Sequence, residues 1–198
     1  MIAEAVAALR RDLNLPVDPT RRGPVPLDRY FAELNVSHQA FPVLTLGTVA
    51  DALRADRVAV DDLGDPALPL AGFLFFAGRI GRAFVSAADI LPRRRFSAAH
   101  ELGHFVLHRA SMARFRYDTD KTVLEADAAA DPMEAEANRF AAELLMPEEV
   151  LQARAKELKG EYPTCPRTGL AYRLASELLV SREAMRYRLK QLGVGDDD

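Results

Sequence analysis

The stretch "RFSAAHELGHFVLH", residues 95–108, gathers three of the chain's four histidines at intervals of four, with Glu101 between the first two. On an α-helix four residues advance about 6 Å and slightly more than one turn, so His100 and His104 lie one above the other. Two imidazoles so placed can reach one ion, and Zn2+ accepts neutral imidazole nitrogen at about 2.0–2.1 Å. Glu101, rotated by about 100°, falls near enough to take a proton from a water at that ion without ligating it. The spacing His-Glu-x-x-His therefore predicts two metal ligands and a general base for hydrolysis at a carbonyl. The competing reading is a polar helix face with Glu101 in a local ion pair. In a chain with only 4 histidines, a chance match of this kind is a weak explanation.

A catalytic zinc needs a third protein ligand and one open position. His108 lies about 12 Å along the helix axis from His100, too far for one ion to bridge all three, so it is read as a supporting or packing residue. Downstream, "DPMEAEANRFAAELLMP", residues 131–147, predicts a helix opened by Asp131 and Pro132 and closed before Pro147. Glu134, Asn138, Ala141 and Leu145 share one side of it, and small Ala137 and Ala141 permit close approach to another helix. Glu134 can then complete the metal sphere, while Asn138, one turn on, can accept the ring N–H of a ligating histidine. Glu136 and Glu143 are expected to point into solvent, with Glu136 as the fallback ligand. Manganese or iron would also suit two histidines and a carboxylate, but the ligand types favour zinc.

The elements that must position these groups are partly legible. A first helix begins the chain and stops before Pro16, and a Pro/Gly/Arg connector leads to a second around "LDRYFAEL". "TLGTVADALRAD" is a third. "LAGFLFFAGRIGRAFVSAA" reads as a β-hairpin turning through Gly78 and Gly81, with Ser97 as N-cap of the histidine helix. Its outer strand, "RAFVS", is expected near the metal, where it could pair with an extended substrate. Residues 110–130 read as an acidic solvated connector. The tail, "GLAYRLASELLVSREAMRYRLKQLG", reads as two short helices broken near Leu179–Ser181. Its second helix buries Met185, Leu189 and Leu192 and exposes a basic stripe of Arg182, Arg186 and Lys190.

"RFSAAHELGHFVLH" followed by "EAEANRFAAELLMP" resembles the ImmA/IrrE family of zinc metallo-endopeptidases, which is similar to the gluzincins in taking a glutamate from a second helix. The likeness is strongest over residues 95–108 and 134–147. It implies an α+β, zincin-like fold with a small twisted sheet, an active-site helix and a C-terminal helix-turn-helix-like segment. It also implies His100, His104 and Glu134 as metal ligands and Glu101 as catalytic base. Family members commonly act inside bacterial cells on a helix-turn-helix repressor, controlling stress or mobile-element genes, so the resemblance implies such a protein substrate. The segment from Thr45 to Pro69 is longer than the minimal family pattern and could reshape substrate access.

Composition narrows the remaining choices. A net charge of −3 gives no global attraction to nucleic acid or an anionic membrane, and the final "DDD" opposes phosphate. Direct DNA contact by the tail is therefore possible in principle but not favoured. The 1 cysteine, Cys165, cannot form an internal disulfide, and the N-terminal stretch lacks a basic leader, so a cytoplasmic protein without membrane association is expected. Residues 1–150 are expected to form the peptidase domain and 151–198 a helical appendage. The rival function is a DNA-associated or protein-docking module whose metal site is structural or vestigial. A structural site has no need of Glu101.

Overall fold

The computed structural model describes residues 1–60, 63–119 and 131–195. The acidic terminus and residues 120–130 of the predicted connector lie outside the described residues. The chain opens with helices α1 (Ile2–Asp12) and α2 (Leu27–Glu33), strand β1 (Val36–Phe41) and helix α3 (Leu46–Ala55). Strands β2 (Gly72–Ala77) and β3 (Ile80–Ser86), helix α4 (Leu91–Leu107) and strand β4 (Phe115–Asp118) follow. Helices α5 (Pro132–Leu145), α6 (Glu148–Glu161), α7 (Arg167–Leu178) and α8 (Arg182–Gln191) complete the described chain.

The hairpin forms, closing at Gly78, whose φ of 62° suits a residue without a Cβ, but Gly81, expected in the turn, is a residue of β3 paired with Phe76. It is the centre of a four-stranded sheet of order β1-β3-β2-β4. Strand β1 runs parallel to β3, and the other pairings are antiparallel. The aromatic run of β2 is apolar on both sides because both faces of the sheet are covered. Leu74 and Phe76, with Ala83 and Val85 of β3, face Ala98, Leu102 and Phe105 of α4. Phe73, Phe75 and Phe84 meet Leu46, Val49 and Leu53 of α3 on the other side. The long segment after Thr45 thus serves first to cover the sheet face opposite α4. Thr45 caps α3, its hydroxyl accepting the Thr48 N–H.

Three expectations need correcting. Ser97 does not cap the histidine helix: α4 begins six residues earlier, at Leu91, with Pro92 in its first turn, where the missing N–H costs no intrahelical bond. "RAFVS" is not an outer strand, since β3 lies between β1 and β2. The outer position beside β2 belongs to β4, which the acidic composition of residues 110–130 concealed.

Helix α5 begins as expected, with the Asp131 carboxylate accepting N–H groups of Met133 and Glu134. It lies along α4 so closely that a Cβ on Gly103 would sit 3.0 Å from the Phe140 ring. Ala137 and Ala141 are fully buried. Helices α7 and α8 meet at Leu179, a left-handed residue with φ 52°, and Ser181 caps α8 by accepting the Ala184 N–H. Leu170, Leu174, Met185 and Leu189 belong to the same apolar cluster as Phe140 and Leu144.

Candidate metal centre

Helix α4 presents His100 and His104 on the side that faces α5, where both are buried. Their Nε2 atoms are 3.0 Å apart. The first turn of α5 brings Glu134 to the same point, with Oε2 at 3.1 Å from His100 Nε2 and Oε1 at 3.3 Å from His104 Nε2. The three residues predicted as ligands are thus brought together by two helices. A fourth group, missed from the sequence, joins them: Asp118, the last residue of β4, places Oδ2 3.0 Å from His100 Nε2. One ligand atom from each of His100, His104, Asp118 and Glu134 lies within 4.8 Å of every other. Donors bound at about 2.0–2.2 Å around one tetrahedral ion would stand roughly 3.3–3.6 Å apart, close to the separations found.

The groups fit a cation better than they fit one another. Asp118 Oδ2 and Glu134 Oε2 are buried and lie beside His100 Nε2, yet neither has a hydrogen-bond partner. Buried acceptors left in that condition are costly unless a positive charge sits between them. The charge balance agrees. Burial disfavours an imidazolium at His100, but the carboxylates of Asp118 and Glu134 beside its Nε2, together with the charges of Glu101 and Asp118, outweigh it and raise its pKa to about 10. Glu134 is held far below the usual carboxylate range: burial opposes this, and the two histidines overcome it. His104 is lowered, chiefly by burial.

The outer nitrogens of the imidazoles are fixed as well. Asn138 Oδ1 lies 2.9 Å from His100 Nδ1, the contact predicted from helix spacing, and it keeps the lone pair of Nε2 directed at the cluster when the ring is neutral. His104 Nδ1 lies 3.1 Å from His108 Nδ1, and His108 Nε2 lies 2.9 Å from Glu136 Oε2. His108 is therefore a supporting residue, as expected. Glu136 is exposed, as expected, and it also ends a chain of contacts that begins at His104. Glu143, also expected in solvent, accepts from the Arg188 guanidinium. Arg116 of β4 donates through Nε to Glu134 Oε1 at 2.7 Å and through a terminal nitrogen to Asp131.

Glu101 points to the sheet side of α4, completely buried, in a narrow crevice lined by Ala71, Gly72, Phe96, Ser97, His100 and Asp118. Its Oε2 has no hydrogen-bond partner. Burial, and then the charges of Asp118 and Glu134, push its carboxyl well above the ordinary glutamate value. Gly72 makes the room, since a Cβ there would overlap Glu101 Oε1 and come within 3.0 Å of its Cδ. The remaining histidine, His38, stacks on Phe31 with ring centroids 4.8 Å apart, where β1 meets α2.

None of the curated proteins matches the chain. Residues 70–190, which run from the hairpin through α8 and include every residue of the cluster, match the IrrE N-terminal-like domain, a family of peptidases. Since that match covers more than half of the chain, and the buried His/Asp/Glu group within it suits a metal ion, the protein belongs to the IrrE N-terminal-like family of metallopeptidases.

Proposed function

We propose that this protein is a zinc-dependent endopeptidase of the cytoplasm. Its substrate is another protein, a helix-turn-helix transcriptional repressor whose cleavage relieves repression in a stress-response or mobile-element system. The observation that carries the peptidase reading is the convergence of His100, His104 and Glu134 from two helices, with Glu101 in the adjoining crevice. His100, His104 and Glu134 would hold the ion, and two imidazoles with a carboxylate favour zinc. When bound, zinc polarises a carbonyl and lowers the pKa of water. Glu101 supplies the general base, accepting a proton and returning it to the departing amine. Asn138 and the His108–Glu136 pair hold the imidazoles in one orientation. The far side of β4 has no strand partner among the described residues, so an extended substrate segment could add there by main-chain hydrogen bonds.

Among the described residues no helix is long and apolar enough to cross a membrane. The repressor substrate rests on the family's common role. The rival reading, a docking or DNA-associated module with a structural metal, is favoured by one observation: four protein donors converge, and structural zinc sites are closed by four. Glu101→Gln separates the two. The variant is expected to retain zinc at the wild-type ratio and to cleave helix-turn-helix repressors encoded beside it about 10²–10⁴-fold more slowly. Equal cleavage by both proteins would remove Glu101 from the chemistry. Failure of the zinc-loaded wild type to cut any such repressor, alongside tight DNA binding, would select the rival.

A further inference from the structure

Three of the four clustered donors come from α4 and α5, two helices that share the apolar core. The fourth is different in origin. Asp118 ends a four-residue strand that is paired through β2, opposite Gly72, and its carbonyl accepts the Ala71 N–H at 2.7 Å. The backbone at this point is therefore fixed, and the side chain is turned inward: Asp118 is 1% exposed, although the residues before it on β4 are partly open to solvent. A buried carboxylate oxygen with no hydrogen-bond partner, 3.0 Å from a histidine nitrogen, needs positive charge beside it to offset the loss of its hydration, which a proton on His100 supplies in the metal-free protein and a metal ion supplies when bound. Arg116, two residues away, does not provide it, because its guanidinium is committed to Glu134 and Asp131.

Resting on the metallopeptidase reading above, we propose that Asp118 is a fourth protein ligand of the metal and occupies the corner of the coordination sphere that a hydrolase leaves to solvent. The conformation described is then a closed, resting form. The crevice beside Glu101 agrees with this, being walled by Asp118 itself together with Gly72 and Phe96. Opening exchanges one metal–oxygen bond for another: the Asp118 carboxylate leaves and a solvent oxygen takes its place, with no change in the oxidation state of any group. Asp118 is the donor suited to this exchange, because it alone is carried by an edge strand and can withdraw without parting α4 from α5.

Cobalt(II) replaces zinc with a visible spectrum and reports directly on ligand exchange. Wild type, Asp118→Asn and Asp118→Ala would be loaded with Co(II), their affinities measured by competition with a chromophoric chelator, and each titrated with azide. The expected result is a wild-type spectrum indifferent to azide. Both variants should bind cobalt about 10–100-fold more weakly and develop an azide charge-transfer band. Asp118→Asn keeps the volume of the side chain, and circular dichroism of each variant checks that the fold is retained. Wild type that takes azide as readily as the variants, or variants with unchanged cobalt affinity, would overturn the fourth-ligand assignment while leaving the peptidase reading intact. Wild type that binds no cobalt at all would overturn both.

Discussion

At the scale of single residues, two positions decide whether this site works, and one of them carries no chemistry. Gly72 is the place where β2 passes over Glu101, and any side chain there must displace the carboxylate. Gly72→Ala is therefore expected to leave metal content near wild type and to reduce repressor cleavage by about 10²-fold, the scale of loss from misplacing a catalytic group by roughly 1 Å. Metal analysis alongside a cleavage assay checks this, and full activity in the variant would mean that Glu101 works from a different position. His100 is the second. With its pKa raised to about 10, the metal-free ring carries at neutral pH a proton that a metal at Nε2 must expel. The sign follows directly. In the metal-free protein the favourable pairing of His100 is present in full below the ordinary histidine pKa and is lost as pH rises through about 10. Metal affinity moves the other way, rising by about tenfold per pH unit toward that value. Calorimetric titration at pH 7.5 in two buffers of different ionisation enthalpy should find about one proton or more released per ion bound. No release would mean that the ion does not bind through His100 Nε2.

At the scale of elements, the site depends on the distance between α4 and α5. Gly103 lies under the Phe140 ring, and an alanine there forces a buried aromatic to yield by several tenths of an ångström. Gly103→Ala is expected to cost about 1–3 kcal/mol through overpacking, more than the gain from a better helix former. It should also weaken zinc binding, because the displaced helices carry the ligands; chemical denaturation and a zinc competition titration measure the two effects together. Stability at or above wild type with unchanged zinc affinity would show that the helices have slack. Both helices were legible in the sequence for local reasons. Asp131 and Pro132 mark one start, His100 and His104 repeat at the helical interval, and Asn138 follows Glu134 by one turn, so a contact with one of the ligating histidines could be read from spacing, though not that it is His100. The start of α4 was read too late because Ser97 looks like a cap, whereas Pro92 already suits the first turn. Strands β1 and β4 escaped for a different reason. They are short, and β4 is defined by its pairing to β2 rather than by any pattern of its own. Asp118 was lost with it: nothing local in the sequence marks its side chain as turned inward. The contact of the exposed Glu136 with His108 was not legible, because the partner comes from another helix, which periodicity within α5 does not reveal.

At the scale of the whole molecule, the question is whether the metal site can exist without the C-terminal helices. Leu151, Leu158, Leu170, Leu174 and Leu189 all lie beyond residue 150, are at most 4% exposed, and join the cluster that contains Phe140 and Leu144. Burying a leucine is worth about 1.5–3 kcal/mol, so losing these contacts removes an amount comparable with the roughly 5–15 kcal/mol by which a domain is stable. The polar contacts point the same way. Arg188 donates to both carboxylate oxygens of Glu143 and to the Met146 carbonyl, so α8 clasps the end of α5, the helix that carries Glu134 in its first turn. A fragment ending at residue 150 is accordingly expected to show no cooperative thermal transition, to bind a hydrophobic dye and to take up zinc weakly. The full chain should melt in one step that zinc shifts upward. A fragment that melts cooperatively and binds zinc with the affinity of the intact protein would instead make residues 1–150 a domain in their own right, with the C-terminal helices free to serve a separate partner.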